Sequence, residues 1–266
     1  MLLLFLLACG PAAAQFEVSS YSAAAAAMGG SPQGLDDAAS IAQTIAPAAF
    51  AHKTQIALSY SQYHSLRALS HKTLSAVVPV KVGGVVAAVT HYGSQLYNEL
   101  QLSSGYALRI SPSIAVGVAL HYLHTSTADP YYTPQHLFTA SAAVEARPTE
   151  SLTMGAKVFN PFAVKLAGES GERVPALFAA GLSYKLLPQL LASLQVEKGL
   201  YTRARVQAGV EYTFLEHYSL RGGLSTEPMM YTFGVGAVWG QCTFDFAAGI
   251  HPVLGLTPQL TAQYTF

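Results

Sequence analysis

The feature that most limits what this chain can become is a two-residue rhythm of apolar and polar side chains that recurs through most of its length. It is cleanest in 203–214, where Ala204, Val206, Ala208, Val210, Tyr212 and Phe214 alternate with Arg203, Arg205, Gln207, Glu211 and Thr213. Successive side chains of a strand point to opposite faces, so such a segment has one apolar and one polar side. The closing stretch 260–266 repeats the pattern and stops on the aromatic Phe266.

Composition decides what the apolar side meets. Apolar residues make up 51% of the chain and charged residues only 11%, well under the ~25% usual in soluble domains. Past the first few residues no run reaches the ~18 apolar residues of a spanning helix. A β-sandwich would turn more charge toward water. The alternation therefore predicts an all-β fold, a transmembrane antiparallel barrel with lipid outside and a polar lumen inside.

The expected strands are 53–63, 72–81, 85–92, 99–110, 114–124, 136–146, 151–159, 176–186, 190–198, 203–214, 218–224, 230–239, 242–250 and 258–266. Longer connections are expected after odd-numbered strands and tight turns after even-numbered ones. That is how outer-membrane barrels sort outward loops from periplasmic turns, and it predicts both termini in the periplasm. Tyr60, Tyr63, Tyr92, Tyr97, Tyr122, Tyr184, Tyr212, Phe214, Tyr218, Tyr264 and Phe266 are the candidates for interfacial girdles. Tyr264 and Phe266 double as the C-terminal signal for the barrel-assembly machinery.

Charged strand residues fall opposite the apolar face, since a lipid-facing Arg or Lys at the midplane costs about 2–4 kcal/mol. The lumen candidates are Glu99, Arg109, Glu145, Arg147, Lys157, Lys185, Glu197, Arg203, Arg205, Glu211, Arg221 and Asp245. Such charges pair across the interior or with a plug; Arg203 and Arg205, flanked by Glu197 and Glu211, also suit a bound solute. In strand 114–124, Ala115, Gly117 and Ala119 face inward, as a closely packed segment would require.

The first fifty residues differ. Residues 1–14 read as a secretory signal with an A-x-A site before Gln15, although Leu6-Leu7-Ala8-Cys9 also resembles a lipobox. Residues 15–51 lack alternation and read as a plug, or hatch, for the barrel of 52–266. Within it, Asp36-Asp37 opens a short helix over 36–43, acid at the positive end of the dipole.

Chemistry is sparse. There is no H-E-x-x-H, G-x-S-x-G, P-loop or C-x-x-C pattern, so no enzyme, metal or cofactor is expected. His121 and His124 lie on opposite faces of a strand. Zero net charge without a basic run speaks against a nucleic-acid partner. The stretch Asn160 to Pro175, with Gly168-Glu169-Ser170-Gly171-Glu172-Arg173, is a candidate partner-binding loop.

The words Ala27-Met28-Gly29-Gly30, Asp36-Asp37-Ala38-Ala39-Ser40 and Ala46-Pro47-Ala48 resemble the opening of PorV/PorQ-like proteins of Bacteroidota, within the FadL-type superfamily of outer-membrane barrels. The words 157–161, 171–175, 220–228 and 251–259 are similar to members of the same group. The resemblance implies a fourteen-stranded barrel with a hatch built on Met28, Gly29, Gly30, Asp36, Asp37 and Pro47. It also implies either of two functions. One is handling of secreted or surface proteins with type IX secretion components as partners; the other is passive passage of hydrophobic small molecules. One departure stands out, since the family's Asn before Pro-Ala is Ala46 here.

Overall fold

The computed structural model describes residues 20–129, 133–165, 173–200 and 202–266. The expected signal segment and the tip 168–172 of the candidate loop lie outside the described residues. Fourteen strands make one closed antiparallel barrel. The first seven are β1 (Gln55–Gln62), β2 (Ser70–Val80), β3 (Gly83–Gly93), β4 (Tyr97–Ser111), β5 (Ile114–Thr127), β6 (Gln135–Ala146) and β7 (Leu152–Phe159). The others are β8 (Leu177–Leu187), β9 (Leu190–Gly199), β10 (Arg205–Phe214), β11 (Tyr218–Thr226), β12 (Met229–Trp239), β13 (Cys242–His251) and β14 (Gly255–Thr265). Each strand pairs with its sequence neighbours, and β14 closes on β1 with Leu58 opposite Ala262. Closure leaves no unpaired edge, the condition for crossing a bilayer with strands. Every expected strand overlaps one of these.

The two faces follow the alternation. Leu58, Val118, Leu120, Phe138, Val210, Phe233 and Leu260 point outward and are exposed, while Ser59, Thr73, Gln101, Ser141, Gln195, Gln207 and Thr261 point inward and are buried. Three girdle expectations need correction. Tyr97 lies on the lumenal face of β4, where its hydroxyl donates to Glu99 at 2.6 Å. Tyr92 shares the lumenal side of β3 with Thr90, and Tyr63 sits in a 3-10 turn against Tyr92, with ring centroids 6.3 Å apart.

The sorting of connections is weaker than the sequence suggests. Long connections follow β1, β5 and β7, but only 94–96 follows β3, 227–228 follows β11 and 252–254 follows β13, while 147–151 follows β6. Ladder pairing continues into residues expected to be loop, as Gly93 opposite Asn98 shows. Below, the rim with the connections after odd strands is the loop end, and the other is the turn end.

The hatch fills the lumen. It comprises α1 (Ala23–Ala27), α2 (Ala38–Thr44) and a 3-10 segment (Ala46–Phe50), and nearly all of it is buried. Asp37 caps α2 by accepting from the Ser40 amide at 3.0 Å, which satisfies an orphan donor of the first turn. Asp36 precedes the cap and stays exposed. Pro47 opens the 3-10 segment, where its missing N–H costs nothing.

Two parts of the wall receive the hatch. On β10–β12, Gly209, Gly223 and Gly234 face Met28, Gly29 and Ala27; a Cβ on Gly223 would lie 2.3 Å from the Gly29 amide nitrogen. Gly29 itself has φ +73 and backs onto the Leu224 carbonyl, so the hatch turns where only glycine meets both demands. Near the turn end of β1–β5 the lumenal residues are small and apolar: Ala57, Val77, Val86, Ala88, Ala107 and Ala115 pack with Ile41, Ala42, Ala48 and Ala49. The inward Ala115, Gly117 and Ala119 of β5 thus do meet the hatch side of the lumen, and Gly117 lies against Ile45 and Ala46. Ala46 is itself buried in that contact.

Candidate functional site

The lumenal charges mostly find one another. Arg221 donates from Nε to Glu211 and from Nη1 to Asp245, both at 2.5 Å, bridging β10, β11 and β13. Arg205 holds Glu197 at 2.7 Å. Arg147, in the turn after β6, joins the buried Glu145 at 2.8 Å to the hatch Asp36 at 3.1 Å. Lys157 donates to the Gln43 carbonyl, and Arg109 donates to the Ala49 carbonyl at 3.2 Å while covering the Phe50 ring. These groups brace the wall against itself and against the hatch, as a charge in a restricted space must be paired. Arg203 is the exception among the expected lumen charges. β10 begins only at Arg205, so Arg203 falls in the connection before it, with its side chain 86% exposed and a loose ion pair to Glu227 at 3.6 Å. It does not join Arg205 in a solute site.

The loop end of the lumen has a different chemistry. Leu123 of β5, Leu137 of β6, Phe159 of β7 and Val174 form a buried apolar cluster, with Val164 and Leu177 against it. These residues occupy lumenal positions, where the alternation elsewhere places polar groups. Asn160 organises them. The β6–β7 ladder covers only 141–146 against 154–159, and at Asn160 the chain turns inward with φ 50. The Asn160 carboxamide accepts from Thr139 at 2.7 Å and from the Val164 amide at 3.2 Å, and donates to the Val174 carbonyl at 2.8 Å. The base of the expected partner-binding loop therefore folds over the lumen. Sequence reading named Asn160 only as a loop start and as part of the family word 157–161; its position directly ahead of Pro161 at the end of a strand was the available signal.

Beneath the cluster lies a polar layer. His121, buried on the lumenal face, bonds Ser103 through Nδ1 and Ser141 through Nε2, each at 2.8 Å, and its ring meets Phe159 edge-on with centroids 5.1 Å apart. His124, as expected, lies on the other face, beside His136 with ring centroids 4.5 Å apart. Tyr21 of the hatch stacks on His71; burial pushes its phenol up to about 12, with hydrogen bonds to Thr90 and Gln101 opposing the shift. Among the described residues no three His, Cys, Asp or Glu side chains come together as metal ligands would.

Below these groups the lumen narrows to a crevice between hatch and wall, lined by Pro32, Gln33, Thr44, Phe159, Leu177 and Gln195. Its volume of about 20 Å³ is close to the minimum for a single water. On the turn-end side of the same hatch segment two cavities of about 330 Å³ each open, one between Gly34 and the wall at Ser183 and Leu191, the other beneath Leu35 and Asp37. The space left at this crevice between hatch and wall holds about one water.

Comparison with solved structures agrees with this geometry. A FadL homologue of Pseudomonas aeruginosa superimposes with a TM-score of 0.71 at 10% identity, over 94% of this chain and 99% of that one. The toluene transporter TodX of P. putida gives 0.66 at 12% identity, over 94% and 97%. The monoaromatic hydrocarbon channel CymD gives 0.64 at 12% identity, over 93% and 98%. The shared feature is the fold, that of FadL-type outer-membrane barrels. No protein-family model and no curated sequence matches the chain.

Proposed function

We propose that this protein is an outer-membrane channel for small hydrophobic molecules, closed here by its hatch. The observation that carries the reading is the apolar cluster of Leu123, Leu137, Phe159 and Val174 at the loop end of the lumen, set apart from the small apolar residues of β1–β5 that pack against the hatch near the turn end. Buried apolar surface in a water-facing barrel mouth is what an apolar solute leaving water would occupy, at about 25 cal/mol per Å² transferred. CymD, a monoaromatic hydrocarbon channel, and TodX, a toluene transporter, share this fold, which supports the same solute class. In this reading the loop end faces outward and the C-terminus lies in the periplasm, with Tyr264 and Phe266 read by the barrel-assembly machinery.

The test is uptake of radiolabelled toluene at limiting concentration by cells whose outer membrane lacks other such channels. Expression of the folded protein should speed uptake, and Leu137→Asp should remove the gain. Uptake equal to that of empty-vector cells, with the protein folded in the outer membrane, would sink the reading.

The resemblance to PorV/PorQ-like proteins supports a second reading, a component handling proteins of type IX secretion. The words that carry it have a packing explanation, since Met28 and Gly29 seat against Gly209 and Gly223, Gly30 lies against Gln207, and Asp37 caps α2. That makes the resemblance an argument about the hatch more than about cargo. Co-purification of secretion components with the tagged protein, together with no toluene uptake, would reverse the preference.

A further inference from the structure

We propose that Gln33 is the constriction of this channel, and that solute passes between the hatch segment 33–35 and the inner wall of β7–β9. The inference rests on the channel reading but not on which solute is carried.

Position comes first. Pro32 and Gln33 line the loop-end crevice, whereas Gly34 and Leu35 line the turn-end cavities. The boundary between the two spaces therefore falls between Gln33 and Gly34 of the hatch. The wall opposite them has lost its side chains. A Cβ on Gly155 would lie 2.7 Å from Gln33 Oε1, and one on Gly181 would lie 2.8 Å from Gln33 Cγ. Two glycines on adjacent strands, paired directly in the β7–β8 register, make a groove along the wall, and the Gln33 side chain lies in it. Gln33 thus fills the groove on the crevice side, next to Gly34, which lines the cavity beside Ser183 and Leu191.

Attachment comes second. The hatch on either side of this segment is held to the wall by short bonds. The Ala23 amide donates to Thr261 at 2.9 Å, the Gly29 amide to Thr232 at 3.0 Å, and Thr232 in turn to the Ala27 carbonyl at 2.8 Å. The Ala38 amide donates to Gln263 at 2.7 Å, and Arg109 bonds the Ala49 carbonyl. From Ser31 to Leu35, by contrast, the one bond to the wall among the described residues is Gln33 Nε2 to Gln195 Oε1 at 3.4 Å, near the limit of a hydrogen bond. The Ser31 and Ser193 hydroxyls are buried in this region with no protein partner. Gly34, at φ +78, is a position where the backbone is already in the left-handed region. A weakly held stretch between two fixed ends can shift without releasing the hatch.

Gln195 extends the lining, since its own amide donates to Gln207 at 2.8 Å. The crevice is thus bordered by the Gln33 and Gln195 carboxamides, by Phe159 and Leu177, and by the charged side chains of Lys157 and Glu197.

The experiment is the conductance of the full-chain protein in planar bilayers bathed in potassium chloride, with heat-modifiable migration confirming a folded barrel for each variant. Gln33→Ala should raise conductance several-fold over wild type. Gln33→Met keeps the side chain's length and bulk and should stay at the wild-type level. Phe50→Ala removes more volume from another part of the hatch and should also stay there. Gln33→Ala at the wild-type level would overturn the proposal. So would Phe50→Ala opening the barrel as much as Gln33→Ala, or Gln33→Met opening it as Gln33→Ala does. Because potassium chloride reads the constriction and toluene uptake reads the solute, the two can fail separately. Uptake in wild type with no conductance change in Gln33→Ala removes the constriction alone, and a conductance change without toluene uptake removes the solute class alone.

Discussion

The two stretches of hatch on either side of Gly30 lie in the same lumen and are held in opposite ways. The stretch 23–30 meets glycines on β10–β12 so closely that backbone touches backbone, and Thr232 and Thr261 bond it directly. The stretch 31–35 meets glycines on β7 and β8 through a single long side chain, with one long hydrogen bond and a hydroxyl left without a partner. Glycine does different work in the two places. Against 23–30 it lets the wall grip the hatch; against 31–35 it leaves a groove that only Gln33 fills. A plug that must stay in its barrel and still admit a solute has reason to be fixed in one place and loose in another.

Breaking the fixed side should cost most. Arg221 lies on the wall beside this stretch and neutralises both Glu211 and Asp245. Arg221→Met leaves the buried Asp245 and the partly buried Glu211 unpaired and should lower stability by about 3 kcal/mol, read as a fall in the urea midpoint for loss of heat-modifiable migration. Next comes Gly223→Ala. Its new Cβ meets the backbone of Gly29 and Ala208, and overpacking of this kind costs about 1–3 kcal/mol. Limited proteolysis should then release the N-terminal stretch while the barrel stays intact; a hatch as protected as wild type would mean that the grip is not made by close approach. Asp37→Ala tests the boundary between the two regimes. It removes the cap of α2 and should cost about 1 kcal/mol, measured by the same unfolding curve. The smallest effect is expected on the loose side. Ser31→Ala removes a buried hydroxyl with no protein partner and should change stability by less than about 0.5 kcal/mol, or raise it slightly. A loss above that would show that 31–35 is held as firmly as its neighbours and would erase the contrast.

Much of the wall was legible in the sequence because a strand's two faces are a local property. The alternation in 203–214 placed Gln207 and Glu211 inside and Val210 and Tyr212 outside without knowledge of any partner, and the same logic found all fourteen strands. A short helix beginning near Asp36-Asp37 was legible for the same reason, although both acids precede it and Asp37 serves as its cap. Local reading failed at the edges of strands. Arg203 keeps the alternation but falls outside the ladder, and Tyr97 satisfies an interfacial composition while facing Glu99. The ladder's ends depend on the neighbouring strand, which periodicity does not encode.

The sequence by itself determined that this chain is an antiparallel barrel with an apolar exterior, a polar lumen and a non-strand segment ahead of it, because period-two patterning and the absence of a long apolar helix admit little else. Only the tertiary structure decided how that segment closes the lumen. The bonds that hold it join residues some two hundred positions apart, Gly29 with Thr232 and Ala23 with Thr261, and the glycines that receive it lie on strands far along the chain. Only closure of β14 on β1 sets which side chains face one another across the interior, and so which stretch of the hatch is bonded closely to the wall and which is held by one long hydrogen bond.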